Sequence, residues 1–133
     1  MAKNFTRCLP ALLCALAVPM VAQAADSAAA SKQMSTAAAH AGMAVGATDL
    51  KMTQTHLHHV VNCLVGPNGK GFDAKAGDPC KGQGNGAIVD AKGDAATEAK
   101  LRAALTQAEA GLKASTVESA HADAQKAMNT LQG

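Results

Sequence analysis

Three of the chain's five histidines lie in one short segment with the sequence THLHHVVNC, residues 55–63. They are His56, His58 and His59, and Cys63 follows four residues after the last of them. Neutral imidazole binds zinc, copper, nickel and iron, serves as an axial ligand of haem, and gains a proton near neutral pH. The segment therefore suggests a metal site, a haem ligand, a pH switch, or a helix that is merely rich in histidine.

Helical spacing divides these histidines between two faces of one predicted helix. At 100° per residue, His56 and His59 fall on one face together with Met52 and Cys63, while His58 lies at the flank of the apolar stripe. That stripe, on the opposite face, consists of Leu50, Leu57, Val61 and Leu64. His56 and His59 are three residues apart, close enough to share a ligand. The competing interpretation is that they are solvated side chains on an exposed face.

Histidines and methionines on other predicted helices extend this candidate site. His40 and Met43 share one face of the first helix, and His121 occupies a position in the last helix where a leucine is expected. A buried histidine needs a hydrogen-bond partner, so His121 is either a satisfied core residue or a ligand. Methionine sulfur favours Cu(I), so a histidine and methionine site suits copper. The candidate metal ligands are His56, His59, His40, Met52, Met43 and His121.

Haem b is a less favoured cofactor than a simple metal ion, and catalysis is not predicted. Helical bundles can hold haem through axial histidine or methionine, but the sequence has no C-x-x-C-H motif for covalent attachment. The chain contains only two phenylalanines as aromatic residues, which disfavours an aromatic-lined pocket. No nucleophile stands beside a base in a recognisable motif, and the glycine-rich segments lack the P-loop pattern.

The first 24 residues have the layout of a secretory signal peptide. Lys3 and Arg7 form a short positive region, residues 9–21 form an apolar run, and Ala22-Gln23-Ala24 is an A-x-A cleavage site. The apolar run is too short for a membrane anchor, which takes about 20 apolar residues. We therefore predict a periplasmic or secreted protein with no membrane insertion after cleavage.

Removal of the signal peptide also changes the charge of the chain. The formal net charge is +2, and the excess comes entirely from Lys3 and Arg7. The mature chain is then neutral overall, and nothing in it favours binding to nucleic acid.

Two cysteines, Cys63 and Cys80, remain after Cys8 and Cys14 leave with the signal peptide. An even pair in an exported chain predicts a disulfide, because exported compartments are oxidising. In a chain-entropy treatment a loop of this length contributes roughly 3 kcal/mol of stability. Two thiolate metal ligands are the alternative, which the long separation without a C-x-x-C pair disfavours.

Apolar periodicity and turn residues predict four helices in the mature chain, which we expect to be one domain over residues 25–133. Gly46 should end the first helix, Thr48 or Asp49 should cap the second, and Ser115 and Glu118 should form a capping box for the fourth. The apolar stripe predicted for the fourth helix is Val117, His121, Ala124, Met128 and Leu131. The four helices are predicted over residues 27–45, about 49–65, about 94–112, and from 115 onward.

A glycine-rich loop over residues 66–90 is the one long connection between these helices. Cys80 should tie it back to Cys63, and Ile88 and Val89 should enter the core beyond it. Short links join the other helices in pairs, which predicts an all-α fold, a small four-helix bundle of two hairpins with up-down-up-down order. A dimer in which hairpins of two chains complete the core is the alternative.

The sequence therefore predicts an exported helical protein that binds a transition-metal ion, with copper favoured over zinc or iron, for sequestration or transfer. A second hypothesis is a non-catalytic interaction or structural module. Phe72, an isolated apolar residue among the loop glycines, would then contact a protein partner. A haem b electron carrier is the third hypothesis.

Overall fold

The computed structural model describes the backbone of residues 20–133 and the side chains of residues 26–133. The predicted signal peptide, residues 1–24, lies outside this range except for the backbone of its last residues. This part of the chain is helical without strands, as expected, but it contains five helices and not four. They are α1 (Met20–Gly46), α2 (Leu50–Val65), α3 (Ala87–Asp90), α4 (Ala95–Leu112) and α5 (Val117–Gln132).

The helix ends follow the predicted capping residues at α1 and α2. α1 ends at Gly46, and the Asp49 carboxylate accepts a hydrogen bond of 2.8 Å from the backbone N–H of Met52. Gly66 ends α2 with a φ of 72°, a conformation in which a side chain would be strained, and its N–H donates to the Asn62 carbonyl at 2.9 Å.

The capping residue predicted for the last helix was wrong by one position. Thr116, and not Ser115, precedes the first turn of α5, and its hydroxyl accepts a hydrogen bond of 3.2 Å from the N–H of Ser119. Both hydroxyl residues suit an N-cap, so the pattern alone does not choose between them. Thr116 is the N-cap because its extended backbone points the hydroxyl at the free N–H groups of the first turn.

The four longer helices pack in a closed cycle. α1 contacts α2 and α5, and α4 contacts the same two helices from the other side, while the short α3 lies against α1, α2 and α4. Small residues make these contacts close. A Cβ added at Gly111 of α4 would lie only 2.6 Å from Leu57 Cδ1 of α2. The two helices can therefore come this close only because Gly111 has no side chain.

Alanines, and not the larger residues of the predicted stripe, occupy the centre of the α5 interface. Ala120, Ala124 and Ala127 are fully buried, whereas His121 and Met128 are only partly buried. Leu131 is buried as predicted. The shift follows from size, because an alanine-lined contact lets neighbouring helices approach and moves bulky side chains to its flanks.

Helix α3 forms at the end of the region that was predicted to be loop. Ile88 is buried as expected, but Val89 is 53% exposed, which corrects the expectation for that residue. In a helical turn consecutive side chains point about 100° apart, so both cannot face the same core. A buried amide holds α3 to α1: Gln33 Nε2 donates to Asp90 Oδ2 at 2.6 Å, and the N–H of Gly86 donates to Gln33 Oε1 at 2.8 Å.

Candidate metal centre

Three histidines from two helices converge on one point of the structure. His40 lies on α1, and His56 and His59 lie one turn apart on α2. His40 Nδ1 is 3.3 Å from His56 Nδ1 and 3.2 Å from His59 Nδ1. One ring nitrogen of each residue lies within 4.8 Å of the other two, and all three side chains are partly buried. The structure thus brings together three of the predicted ligands in an arrangement that can hold a metal ion.

Packing of α1 along α2 turns the histidine face of α2 inward. Cys63, on the same face as His56 and His59, is fully buried in a disulfide with Cys80, which confirms the predicted pairing. α2 therefore buries two faces. Its apolar stripe meets the core, and its histidine face meets α1 and the loop that follows α2.

The spacing of the ring nitrogens matches the edge of a tetrahedral coordination site. With metal–nitrogen bonds of about 2.0–2.1 Å, tetrahedral geometry places ligand nitrogens roughly 3.3–3.4 Å apart. The observed separations of 3.3 Å and 3.2 Å from His40 Nδ1 are close to that value. Two of the three edges therefore fit such a site, and the ligand atoms of all three residues lie within 4.8 Å of one another. Three protein ligands leave a fourth position for water or an incoming donor.

A backbone carbonyl of the loop determines which nitrogen of His59 is free to bind. His59 Nε2 lies 2.7 Å from the carbonyl oxygen of Ala76. A carbonyl can only accept, so Nε2 carries the proton and donates it, and Nδ1 keeps its lone pair. Metal-binding histidines commonly donate their other N–H in this way, which fixes the ring and raises its basicity.

Asn62 holds the loop in the position that the hydrogen bond between His59 and the Ala76 carbonyl requires. Its side chain is fully buried and pairs with loop backbone on both sides of Ala76. Asn62 Nδ2 donates to the carbonyls of Asp73 at 2.8 Å and Gly77 at 2.6 Å, and Asn62 Oδ1 accepts from the N–H of Asp73 at 2.8 Å. Asn62 and the Cys63–Cys80 disulfide thus fasten the loop to α2 beside His59.

The surroundings of the histidines keep two of them unprotonated at neutral pH. Burial, then the proximity of His59 and His56, lowers the pKa of His40 from 6.5 to about 4. Burial, followed by the proximity of His59, also lowers the pKa of His56. Only neutral imidazole binds metal, so these shifts reduce competition from protons. A cation among the three nitrogens would interact favourably with the lone pair of each neutral ring that faces it.

The metal-free protein should lose stability on acidification between pH 6.5 and pH 4. In that window an unfolded His40 is protonated while the folded one, with its pKa lowered to about 4, is not. The unfolded state then binds more protons, so the free energy of unfolding falls as the pH falls. Urea denaturation in chelator at several pH values should show this slope, and His40→Gln should reduce it. An unchanged slope in the variant would contradict the assignment to His40.

The other predicted ligands do not join the three histidines as buried donors. Met52 is 48% exposed and Met43 is 50% exposed. His121 is not one of the clustered residues, and its Nε2 is buried without a hydrogen-bond partner in the described part of the chain. His58 Nδ1 lies 3.7 Å from Asp73 Oδ2, which is too long for a hydrogen bond and makes the contact at most electrostatic.

Sequence reasoning missed two contributors to this site, Asn62 and the Ala76 carbonyl. A polar residue three positions after His59, on a face with a buried cysteine, is a weak signal for Asn62. The carbonyl has no signal, because any residue supplies one. Phe72, the predicted partner contact, is partly buried against the core, and it lines a surface cavity of about 430 Å³.

Comparisons of the chain with protein-family models, curated proteins and solved structures gave no match. Within the described residues, none of the helices combines the length and the apolar character that a membrane crossing requires.

Proposed function

We propose that this chain is an exported, non-catalytic protein that binds one transition-metal ion through His40, His56 and His59, for sequestration or transfer. The observation that carries the proposal is the meeting of three ring nitrogens, with those of His56 and His59 at 3.3 and 3.2 Å from His40 Nδ1. Imidazole is a ligand for zinc, copper, nickel and iron. The proposal is supported by the hydrogen bond from His59 Nε2 to the Ala76 carbonyl, which leaves His59 Nδ1 free to bind an ion.

Copper is the metal we favour, with zinc and iron as competitors. All three ligands are neutral nitrogen donors and none is a carboxylate, so hard cations such as magnesium and calcium, which prefer oxygen ligands, should bind weakly. Copper(II) binds such sites more strongly than the other divalent first-row metals, as the general order of affinities requires. Exposed methionines one turn from His40 and His56 extend the preference to Cu(I).

The proposed compartment is the periplasm or the extracellular space. The disulfide supports it, because cysteine pairs persist in oxidising compartments. Together with the signal-like layout of residues 1–24, this makes residues 25–133 the functional domain, which we propose to be a four-helix bundle with α3 as an addition in its long connection.

Haem b is less compatible with this arrangement than a single ion. The centroids of the three rings lie 5.6, 4.7 and 5.8 Å apart. These are distances of rings in direct contact, and a porphyrin placed between any two axial ligands would have to separate them. The interaction hypothesis has no comparable support, because Phe72 is partly engaged in the core.

Metal analysis of the oxidised protein, purified from an exporting host, tests the proposal. We expect one equivalent of copper or zinc, or stoichiometric uptake of Cu(II) or Zn(II) by the chelator-treated protein in competition with an indicator. Absorption spectra should lack a Soret band. The proposal would be overturned by weak binding, or by binding of more than one equivalent without a tight first site. Tight binding that persists in a variant without the three histidines would also overturn it.

A further inference from the structure

Two exposed methionines adjoin the histidine site. In the part of the chain with described side chains, the exposed large apolar residues are Met43, Met52 and Val89. Met43 follows His40 by three residues on α1, and Met52 precedes His56 by four residues on α2. Each methionine therefore lies one helical turn from a histidine of the site, on approximately the same face of its helix.

The pairing of α1 with α2 places the two methionines at the same level. His40 meets His56 directly, and only residues 47–49 separate the two packed helices, which therefore run in opposite directions. Between the His40–His56 pair and this connection lie Met43 on α1 and Met52 on α2. The methionines thus lie on the next turn of each helix, on the side of the connection, and both are about half exposed.

The opposite side of the histidine site is closed. There the loop contacts both helices: Thr36 Oγ1 of α1 donates to Gln83 Oε1 at 2.9 Å, and His59 Nε2 of α2 donates to the Ala76 carbonyl at 2.7 Å. Cys80, bonded to Cys63, lies with its sulfur 3.8 Å from the Gln33 carbonyl. With the loop and disulfide at one end, the exposed methionines mark the end of the site that faces solvent.

We infer that Met43 and Met52 form a capture site for Cu(I), through which the ion reaches His40, His56 and His59. Thioether sulfur is a soft donor that selects Cu(I). The histidine cluster offers the ion three donors where the methionine pair offers two, which favours transfer toward the histidines. The ion keeps its oxidation state, and it exchanges thioether ligands for imidazole ligands. The delivery step rests on the proposed function of the histidines, while capture by the methionines stands independently.

Silver(I), a soft ion that is not oxidised or reduced here, is the probe for the capture site. The oxidised exported protein is labelled at the methionine methyl groups and titrated with silver nitrate in chloride-free buffer, followed by NMR. The test variant is Met43→Leu with Met52→Leu, which keeps the apolar volume and removes both sulfur atoms. Its matched control is Met34→Leu with Met128→Leu, two methionines that pack partly buried against the core.

We expect the first equivalent of silver to shift the methyl signals of Met43 and Met52. The Met43/Met52 variant should lose this high-affinity phase and keep Zn(II) binding, and the Met34/Met128 control should keep both. Unshifted Met43 and Met52 signals, or silver affinity in the test variant equal to that of the parent, would overturn the inference. If these methyl signals shift but the protein binds neither Zn(II) nor Cu(II), the capture site would be supported and the proposed function of the histidines would be contradicted.

Discussion

Replacing His40 by alanine should abolish tight metal binding. His40 is the one ligand from α1, and its Nδ1 is the atom that lies 3.2–3.3 Å from both other ring nitrogens. Without it, only His56 and His59 remain, a pair on a single helix. Loss of a residue that merely orients a ligand costs about 10–100-fold in metal affinity. Loss of this ligand should cost more, so that only weak binding remains in an indicator competition.

Thermal unfolding gives a second measurement of the same effect. A metal present at 100 times its dissociation constant stabilises a folded protein by about 2.7 kcal/mol. The parent protein should therefore unfold at a higher temperature with Zn(II) or Cu(II), and His40→Ala should not respond. His121→Ala is the control, because His121 lies outside the cluster. Equal losses in both variants would show that His40 is not a specific ligand.

Removal of the disulfide should weaken metal binding without removing a ligand. The bond between Cys63 and Cys80 closes a segment with a sequence separation of 17. In Cys63→Ala with Cys80→Ala, the free energy of unfolding should fall by roughly 3 kcal/mol, because the unfolded chain gains freedom. Metal affinity of the folded fraction should fall by up to about 10–100-fold, because the loop is then fastened by Asn62 alone and the Ala76 carbonyl holds the N–H of His59 less firmly.

Asn62→Ala separates the orientation of His59 from the stability that the disulfide supplies. The variant keeps both cysteines but loses three hydrogen bonds to the loop around Ala76. Nitrogen chemical shifts of His59 report its tautomer, and we expect the parent to show a protonated Nε2 and the variant a mixture. The exposed Asn68→Ala in the same loop is the control. A variant that binds metal as tightly as the parent would show that the loop only closes the fold.

Local rules in the sequence were sufficient for several elements of this protein. The cap of α2, expected at Thr48 or Asp49 and found at Asp49, the glycine end of α1, and the pairing of the two remaining cysteines each depend on the chemistry of a few residues. The shared face of His56 and His59 also follows from helical geometry alone. These features could be predicted because short-range hydrogen bonds and steric limits act in the same way in any fold.

Packing between helices determined the features that local sequence rules could not predict. Periodicity could not say whether the face with His56 and His59 would be solvated or enclosed, since this depends on where α1 and the loop lie. Large residues were expected at the α5 interface, but Ala120 and Ala127 occupy it because close helix approach favours small side chains.

The sequence by itself determined that this is a helical protein with a paired Cys63 and Cys80 and with His56 and His59 on one helix face. Only the tertiary structure decided that His40, far away in the sequence, completes a three-nitrogen site and that the Ala76 carbonyl orients His59. The reason is physical: a metal site is a set of distances between elements, and those distances arise when helices and loop pack together.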